Sequence, residues 1–350
     1  MPHPFPLFSL PYVPLKKVLD NFGQRGIIFL SLCSLRSKSI AVSYRGPSKD
    51  VRLTLDIGLW DCLEDSDESY MRILLTVENI WNLPMNTTLE TVRIGSFEKV
   101  PVKMENNFVK GNHLITYWED RMTGFAAIGD YAREVFNQDI YEVCIFDKRE
   151  DDDLRRAAEW IKNSQKTIRN LCCNFNSKID NDLDVILENF KCTEKLFLYV
   201  KPSEYYSPSR MPSFQINRLD VCNSFWIKQN HLLTMDCKCI LLKSSKLSSR
   251  DLNLFLKHWM AGGCSQLKEL WISVEKPINY QVLLDGVDFV ERERHVERVF
   301  VDEADTHDTI RGGFDIKRSS DNVKVTINNG GENSRLFWMI VWPDFAGNSY

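Results

Sequence analysis

Ser249-Arg-Asp-Leu-Asn-Leu-Phe-Leu-Lys-His-Trp-Met260, then Ala261-Gly-Gly263, then Gln266-Leu-Lys-Glu-Leu-Trp-Ile272 set out a helix, a stop and a strand. Leu252, Phe255, Leu256 and Trp259 recur at helical spacing and share one face. Gly262-Gly263 offers the left-handed cap on which helices commonly end. The run ending Leu270-Trp271-Ile272 then has the composition of a buried strand.

The same unit repeats upstream. Short apolar strands centre on Leu171, Leu196-x-Leu198, Leu219-x-Val221, Ile240 to Leu242 and Leu270-x-Ile272, separated by roughly 20 to 30 residues. Helical patterns fill the intervals, as at Asp182 to Phe190 and Ser249 to Met260. Asp151 to Asp153 precede another helix through Trp160, with acids where the helix dipole favours them. This rhythm predicts a leucine-rich-repeat-like α/β solenoid. The repeats are degenerate, with no regular Asn or Cys closing each strand turn, so a layered α/β domain stands as the alternative.

Downstream, Phe314 to Arg318, Val323 to Ile327 and Leu336 to Trp342 predict a hairpin or small meander that closes the sheet. Its turns fall at Ser320-Asp-Asn322 and Asn329-Gly-Gly331. Glu291 to Arg298 alternates in sign and predicts a solvated charged segment. Between residues 49 and 150, strands are expected at 51–57, 89–94 and 141–146, with a helix from Gly124 to Phe136. The acids Glu64, Asp65, Asp67 and Glu68 suggest a solvated loop.

The first 48 residues stand apart. Leu10, Pro11, Leu15, Val18, Leu19 and Phe22 form an apolar stripe at helical spacing. Gly23 and Gly26 are expected to break the chain before a second apolar run, Ile27, Ile28, Leu30 and Leu32. A short basic helix follows from Ser34 to Tyr44, and Gly46-Pro47 ends the block. Three short helices bury too little to be stable alone and want a partner or neighbouring domain. The expected layout is 1–48, a helical block; 49–150, α/β repeats or a linker; and 151–350, a repeat-like α+β or α/β domain.

Bulk composition excludes several classes. The 350 residues carry a formal net charge of −4, which argues against a broad nucleic-acid-binding surface. Met1 to Pro6 has no basic n-region, and the longest apolar runs fall far short of the roughly 20 residues a membrane helix needs. The expectation is a cytoplasmic or nuclear protein that binds neither nucleic acid nor membrane. Ten cysteines and six histidines include no zinc-ligand spacing, so the cysteines are expected to be reduced thiols and neither metal nor cofactor is expected. The sequon Asn86-Thr-Thr88 should then be silent. Phosphate-binding loops, the G-x-S-x-G elbow and H-E-x-x-H are all missing. Cys222 and His231 could pair as nucleophile and base, but in a chain this rich in both types the pairing carries no signal. His258, beside Trp259, suits a structural role. No catalytic residue is expected. Tyr205 and Tyr206, in the Pro/Ser loop from Pro202 to Pro212, are expected to be exposed and are weak candidates for contacting a target.

Phe8-Ser-Leu-Pro-Tyr-Val-Pro-Leu-Lys-Lys-Val-Leu-Asp-Asn-Phe22 and Leu30-Ser-Leu-Cys-Ser-Leu-Arg-Ser-Lys38 together resemble the F-box: a Leu-Pro, a helix carrying Val-Leu, and a later Leu-x-Leu-x-Ser-x-Arg. Two positions depart from it. Gly26 stands where an acid often precedes the apolar pair, and Ser37 where many F-boxes carry an aromatic. Leu252-x-x-Phe255-Leu-x-x-Trp-x-x-Gly-Gly263, Leu267-Lys-x-Leu-x-Ile272, Phe314-Asp-Ile-Lys-Arg318 and Met339-Ile-Val-Trp342 resemble the nematode F-box-associated domain, best over 208–275. The resemblance implies a non-catalytic substrate receptor of an SCF-type cullin-RING ubiquitin ligase. Leu10, Pro11, Leu15, Val18, Leu19, Phe22, Ile27, Leu30 and Leu32 would contact a Skp-type adaptor, the cullin would be reached indirectly, and the C-terminal domain would hold a protein target. An interaction scaffold that does not promote ubiquitination is the alternative.

Overall fold

The computed structural model describes residues 7–44, 51–58, 62–67, 70–83, 89–107, 111–146, 152–175, 180–301, 307–331 and 333–342. The chain is mixed α+β and divides into two compact units, residues 1–172 with 189–191 and residues 173–188 with 192–350. The division falls near residue 172, not at the expected 48 or 150, and the N-terminal helices share a unit with the strands that follow them. Asn86-Thr-Thr88, Gly46-Pro47 and Glu68 lie outside the described residues.

The first unit opens with α1 (Tyr12–Asp20), α2 (Gly23–Cys33) and α3 (Leu35–Tyr44). Then come β1 (Leu53–Ile57), β2 (Cys62–Asp67), β3 (Tyr70–Asn79), β4 (Glu90–Ile94), β5 (Phe97–Asn107), β6 (Gly111–Trp118), α4 (Arg121–Phe136), β7 (Glu142–Ile145), α5 (Asp153–Ser164) and β8 (Ile168–Cys173). The strand order is β4-β5-β6-β3-β2-β1-β7-β8, with parallel pairing of β3 to β6 and of β1 to β7. The backbone of Glu64, Asp65 and Asp67 belongs to β2, so that acidic stretch is a paired strand and not the expected loop. All five residues of β1 are buried, Thr54 and Asp56 among them.

Helix α4 organises this unit. Asp120 caps it by accepting the Thr123 amide at 2.8 Å, and Asn137 ends it at φ 52°. Arg156 of α5 bonds Asp120, and Trp160 Nε1 donates to Asp130 at 3.2 Å, which ties α5 to α4. The hydrogen bonds from Arg156 hold the Asp120 carboxyl far below the usual carboxylate range. Tyr131 of α4 donates to Ser31 of α2 at 2.9 Å, and Lys38 of α3 pairs with Glu134 of α4 at 2.7 Å. The N-terminal helices are thus covered by their own unit, which resolves their shortage of core. Gly26 does not break the chain. It lies inside α2 with Phe22 packed over it, while the turn between α1 and α2 falls at Gly23, φ 60°.

The second unit contains α6 (Asn181–Asn189), β9 (Cys192–Leu198), β10 (Arg218–Val221), α7 (Gln229–Thr234), β11 (Cys239–Ser245), α8 (Ser249–Met260), β12 (Glu269–Val274) and α9 (Tyr280–Leu283). It ends with β13 (Phe289–Val301), β14 (His307–Lys317), β15 (Lys324–Ile327) and β16 (Leu336–Val341). Strands β9 to β12 are parallel neighbours in register, and β16, β15, β14 and β13 extend the ladder antiparallel in that order. The expected C-terminal meander is present, with Asn322 and Gly331 at positive φ in its turns. It gains one strand. Glu291 to Arg298, expected as a solvated segment, lies within β13, at the end of the strand order, where charged side chains suit an edge.

Helix α8 carries a capping box, with Ser248 and Asp251 bonding each other's backbone amides. Its Leu252, Phe255, Leu256 and Trp259 are buried. Gly262 takes φ 101° at its end, and Gly263 lies so close to the His258 ring that a β-carbon would stand 2.0 Å from Nε2. A larger residue there would have to displace that ring.

Candidate functional site

The parallel strands of the second unit present two unlike faces. Adjacent residues on a strand point to opposite sides, and residues in register across parallel strands point to the same side. Leu196, Leu198, Leu219, Val221, Ile240, Leu242, Leu270 and Ile272 fall on one face, and all are buried. The other face pairs Phe197 with Asp220, Asp220 with Leu241, and Leu241 with Trp271, and β16 adds Trp338 beside Trp271. The neighbouring row runs Lys195, Arg218, Cys239 and Glu269. Phe197, Leu241, Trp271 and Trp338 are only half-buried, and Lys195 and Lys243 are exposed.

Asp220 lies at the centre of this face. It is 4 % exposed. One carboxylate oxygen accepts Tyr199 Oη–H at 3.2 Å, while Oδ1 has no hydrogen-bond partner among the described residues. Burial pushes its pKa up, opposed by the nearby charges of Lys243 and Arg218 and by the Tyr199 bond. Tyr199 stacks on Phe197 with ring centroids 6.5 Å apart, and Lys243 Nζ sits 6.0 Å from the Tyr199 centroid. Glu269 is sealed differently, accepting Trp338 Nε1–H at 3.0 Å. Beyond Trp338 the ladder continues through β15 and β14 to β13. There Phe300, Ile310 and Ile340 form a small buried cluster with Trp338 and Trp342 against it.

Arg218 and Lys243 both act on Asp220, whereas Arg210 and Lys228 are engaged elsewhere. Arg210 pairs loosely with Glu188 at 3.8 Å, and Lys228 Nζ donates to the Phe225 carbonyl. Tyr205 and Tyr206 part company: Tyr205 is 92 % exposed, but Tyr206 is 5 % exposed. Tyr206 donates to Asp184 Oδ1 at 2.7 Å and meets Trp226 edge-on at 5.8 Å. The expectation of an exposed Tyr206 is corrected, because it is the anchor of its loop.

On the N-terminal helices, Pro11 and Phe22 are exposed, and Leu10, Leu15, Val18 and Leu30 are half-buried. Leu19, Ile27 and Leu32 are buried, contrary to their placing on a docking face. The cause is α2, which packs on β3, β4 and α4 and turns its Ile27–Ile28 and Leu32 side inward. Leu32 also borders a cleft of about 400 Å³ that Lys38, Thr91 and Arg93 line. The exposed apolar groups that the stripe did not mark are Tyr12 (71 %), Val13 and Leu35 (66 %). They lie off the stripe, so their periodicity gave no signal.

The Cys222–His231 pair has no catalytic geometry to recommend it. His231 Nδ1 accepts the Lys228 amide at 3.1 Å, and burial lowers the His231 pKa and raises that of Cys222. The nine cysteines whose side chains are described are not bridged to one another, with Cys33 exposed and burial pushing Cys237 up to about 12 and Cys264 up to about 11. Among the described residues no group of three or more His, Cys, Asp or Glu is placed to hold a metal ion, and no helix is long and apolar enough to cross a membrane.

Comparison with known proteins bears on the same region. Residues 209–272, which run from the loop before β10 to β12, match the family described as F-box associated. The chain is 26 % identical over 302 residues to the Skn-1 dependent zygotic transcript 15 protein of Caenorhabditis elegans, covering 83 % of this chain and 85 % of that one. It is 22 % identical over 291 residues to an uncharacterized Caenorhabditis elegans protein, covering 77 % of this chain and 60 % of the relative. No solved structure matches. The second unit is thus where this chain is similar to F-box-associated proteins, and its uncovered sheet face lies largely within the matched residues.

Proposed function

We propose that this chain is the substrate-recognition subunit of an SCF-type cullin-RING ubiquitin ligase. The match of residues 209–272 to the F-box-associated family carries the reading. The second unit would hold a target protein on its uncovered sheet face. The first unit would dock a Skp-type adaptor through the N-terminal helices, using Leu10, Pro11, Leu15, Val18, Phe22 and Leu30 together with Tyr12, Val13 and Leu35. The chain would contribute no catalytic side chain. Its effect would be proximity, holding a substrate lysine near a charged ubiquitin carrier.

One observation favours a second reading, that of an interaction scaffold that does not promote ubiquitination. Leu19, Ile27 and Leu32 are committed to the chain's own interior and leave a smaller docking face. Co-expression with a Skp-type adaptor tests the first reading. Wild type should retain the adaptor, and a variant carrying Leu10→Asp, Pro11→Ala and Leu15→Asp should lose it. Equal retention by both, or by neither, sinks the ligase reading. Co-purification of a cullin separates it from the scaffold.

A further inference from the structure

We infer that the uncovered sheet face of the second unit binds an acidic, aromatic- or aliphatic-bearing peptide segment of the target, laid across Phe197, Leu241 and Trp271. This rests on the reading of the chain as a target receptor and names the chemistry of what it holds.

The argument is one of charge and of ordered apolar groups. On this face of β9 to β12 the accessible ionised groups are Lys195, Arg218 and Lys243, all cationic. The two carboxylates, Asp220 and Glu269, are buried and engaged by Tyr199 and Trp338. A chain of net charge −4 thus turns a positive surface outward at this place. Between the cations lie half-buried apolar groups, Phe197, Leu241 and Trp271, in register across three strands. Rings that are already ordered by their sheet neighbours lose little freedom on contact, which favours them as anchors.

Asp220 does not offset that charge outward, because it is 4 % exposed and Lys243 and Arg218 attend its carboxylate. The Asp and Glu side chains of a peptide meet Lys195, Arg218 and Lys243 while its apolar side chains lie on Phe197, Leu241 and Trp271. A single-stranded nucleic acid could stack on the same rings, and the oligouridine arm of the test separates the two.

The test pans a phage-displayed library of random dodecapeptides against the full chain. Affinities of the leading synthetic peptide are then measured by fluorescence anisotropy. Enriched peptides should combine two or more Asp or Glu with a Trp, Phe or Leu. Lys243→Glu and Trp271→Ala should each weaken the peptide by about tenfold or more, while Lys276→Glu, in an exposed turn off this face, should leave it unchanged. Circular dichroism checks that each variant is folded, and Lys243→Met serves if Lys243→Glu is not. Enrichment of neutral or basic peptides, no enrichment, affinity indifferent to Lys243→Glu, or tighter binding of an oligouridine overturns the inference. The same preparations are assayed for adaptor retention. A chain that holds the adaptor but selects no acidic peptide sinks this inference alone, and the converse sinks the ligase reading alone.

Discussion

Replacing the two adjacent tyrosines of the 202–212 loop separates a surface ring from an anchor. Tyr205 is 92 % exposed, and removing an exposed side chain changes stability by at most about 0.5 kcal/mol. Tyr206 is buried, its hydroxyl on Asp184 at 2.7 Å and its ring against Trp226. A hydrogen bond to an ionised group contributes about 1.5–3 kcal/mol. Asp184 keeps its donors from Ser209, so Tyr206→Phe should cost near the lower end, about 1.5 kcal/mol. Tyr206→Ala also empties the ring's site and should cost about 3–5 kcal/mol. Burial pushes the Asp184 carboxyl up, but the bonds from Ser209 and Tyr206 outweigh it and hold the pKa below its ordinary value of 3.8. A folded pKa that is depressed stabilises above the unfolded value and loses that stabilisation as pH falls through the folded one. The Tyr206→Phe deficit should therefore be full at pH 7 and shrink below about pH 4. Urea unfolding followed by circular dichroism and tryptophan fluorescence reads all three variants. A Tyr205→Ala loss equal to that of Tyr206→Ala, or a neutral Tyr206→Phe, would refute the assignment of Tyr206 as the anchor.

Two further substitutions probe one unit each. Gly26→Ala places a β-carbon 2.7 Å from Phe22 Cβ, an atom fixed to the backbone that cannot rotate away. The roughly 1 kcal/mol gain in helix propensity should be outweighed by 1–3 kcal/mol of overpacking, so the melting temperature should fall, and a rise would contradict the packing described. Asn253 Nδ2 donates to the carbonyls of Leu283 and Asp285 at 2.8 and 2.9 Å, latching α9 to α8. Asn253→Ala should cost about 2 kcal/mol. Hydrogen exchange should quicken over residues 280–287 and not along α8, and unchanged protection there would dismiss the latch.

The stretch from β8 to β12 was legible, because its periodicity is strong. Strands β8 to β12 lie at the apolar clusters around Leu171, Leu196, Leu219, Ile240 and Leu270, and α8 ends at the expected glycines. A buried strand or an amphipathic helix writes its environment into every second or every third and fourth residue. Strand β13 was not legible as a strand, because an edge exposed on most of its length needs no apolar alternation. The burial of Tyr206 was hidden for another reason: Asp184 and Trp226 reach it from either side in sequence, and a loop's composition does not say which of two adjacent rings turns inward. On the N-terminal helices the stripe was read correctly as apolar, but apolarity cannot distinguish a face kept for a partner from one spent on α4 and β3. Ile27 and Leu32 of α2 belong to the second kind, and Leu19 of α1 is buried as well.

The uncovered sheet face shows the same limit in its sharpest form. Phe197, Asp220, Leu241 and Trp271 sit on four different strands, each about a repeat apart, and none belongs to a motif. Asp220 in Leu219-x-Val221 even looks like a break in an apolar strand. Only the register converts it into the centre of a row flanked by Phe197 and Leu241. Parallel strands in repeated units stack equivalent positions side by side, so a substitution at one such position changes one site on a continuous surface without disturbing the buried row on the other face. The buried row fixes the fold and is visible as pattern. The opposite row is free to vary in chemistry, which suits a surface that has to recognise a target, and for that reason its content can be read only after the strands are aligned.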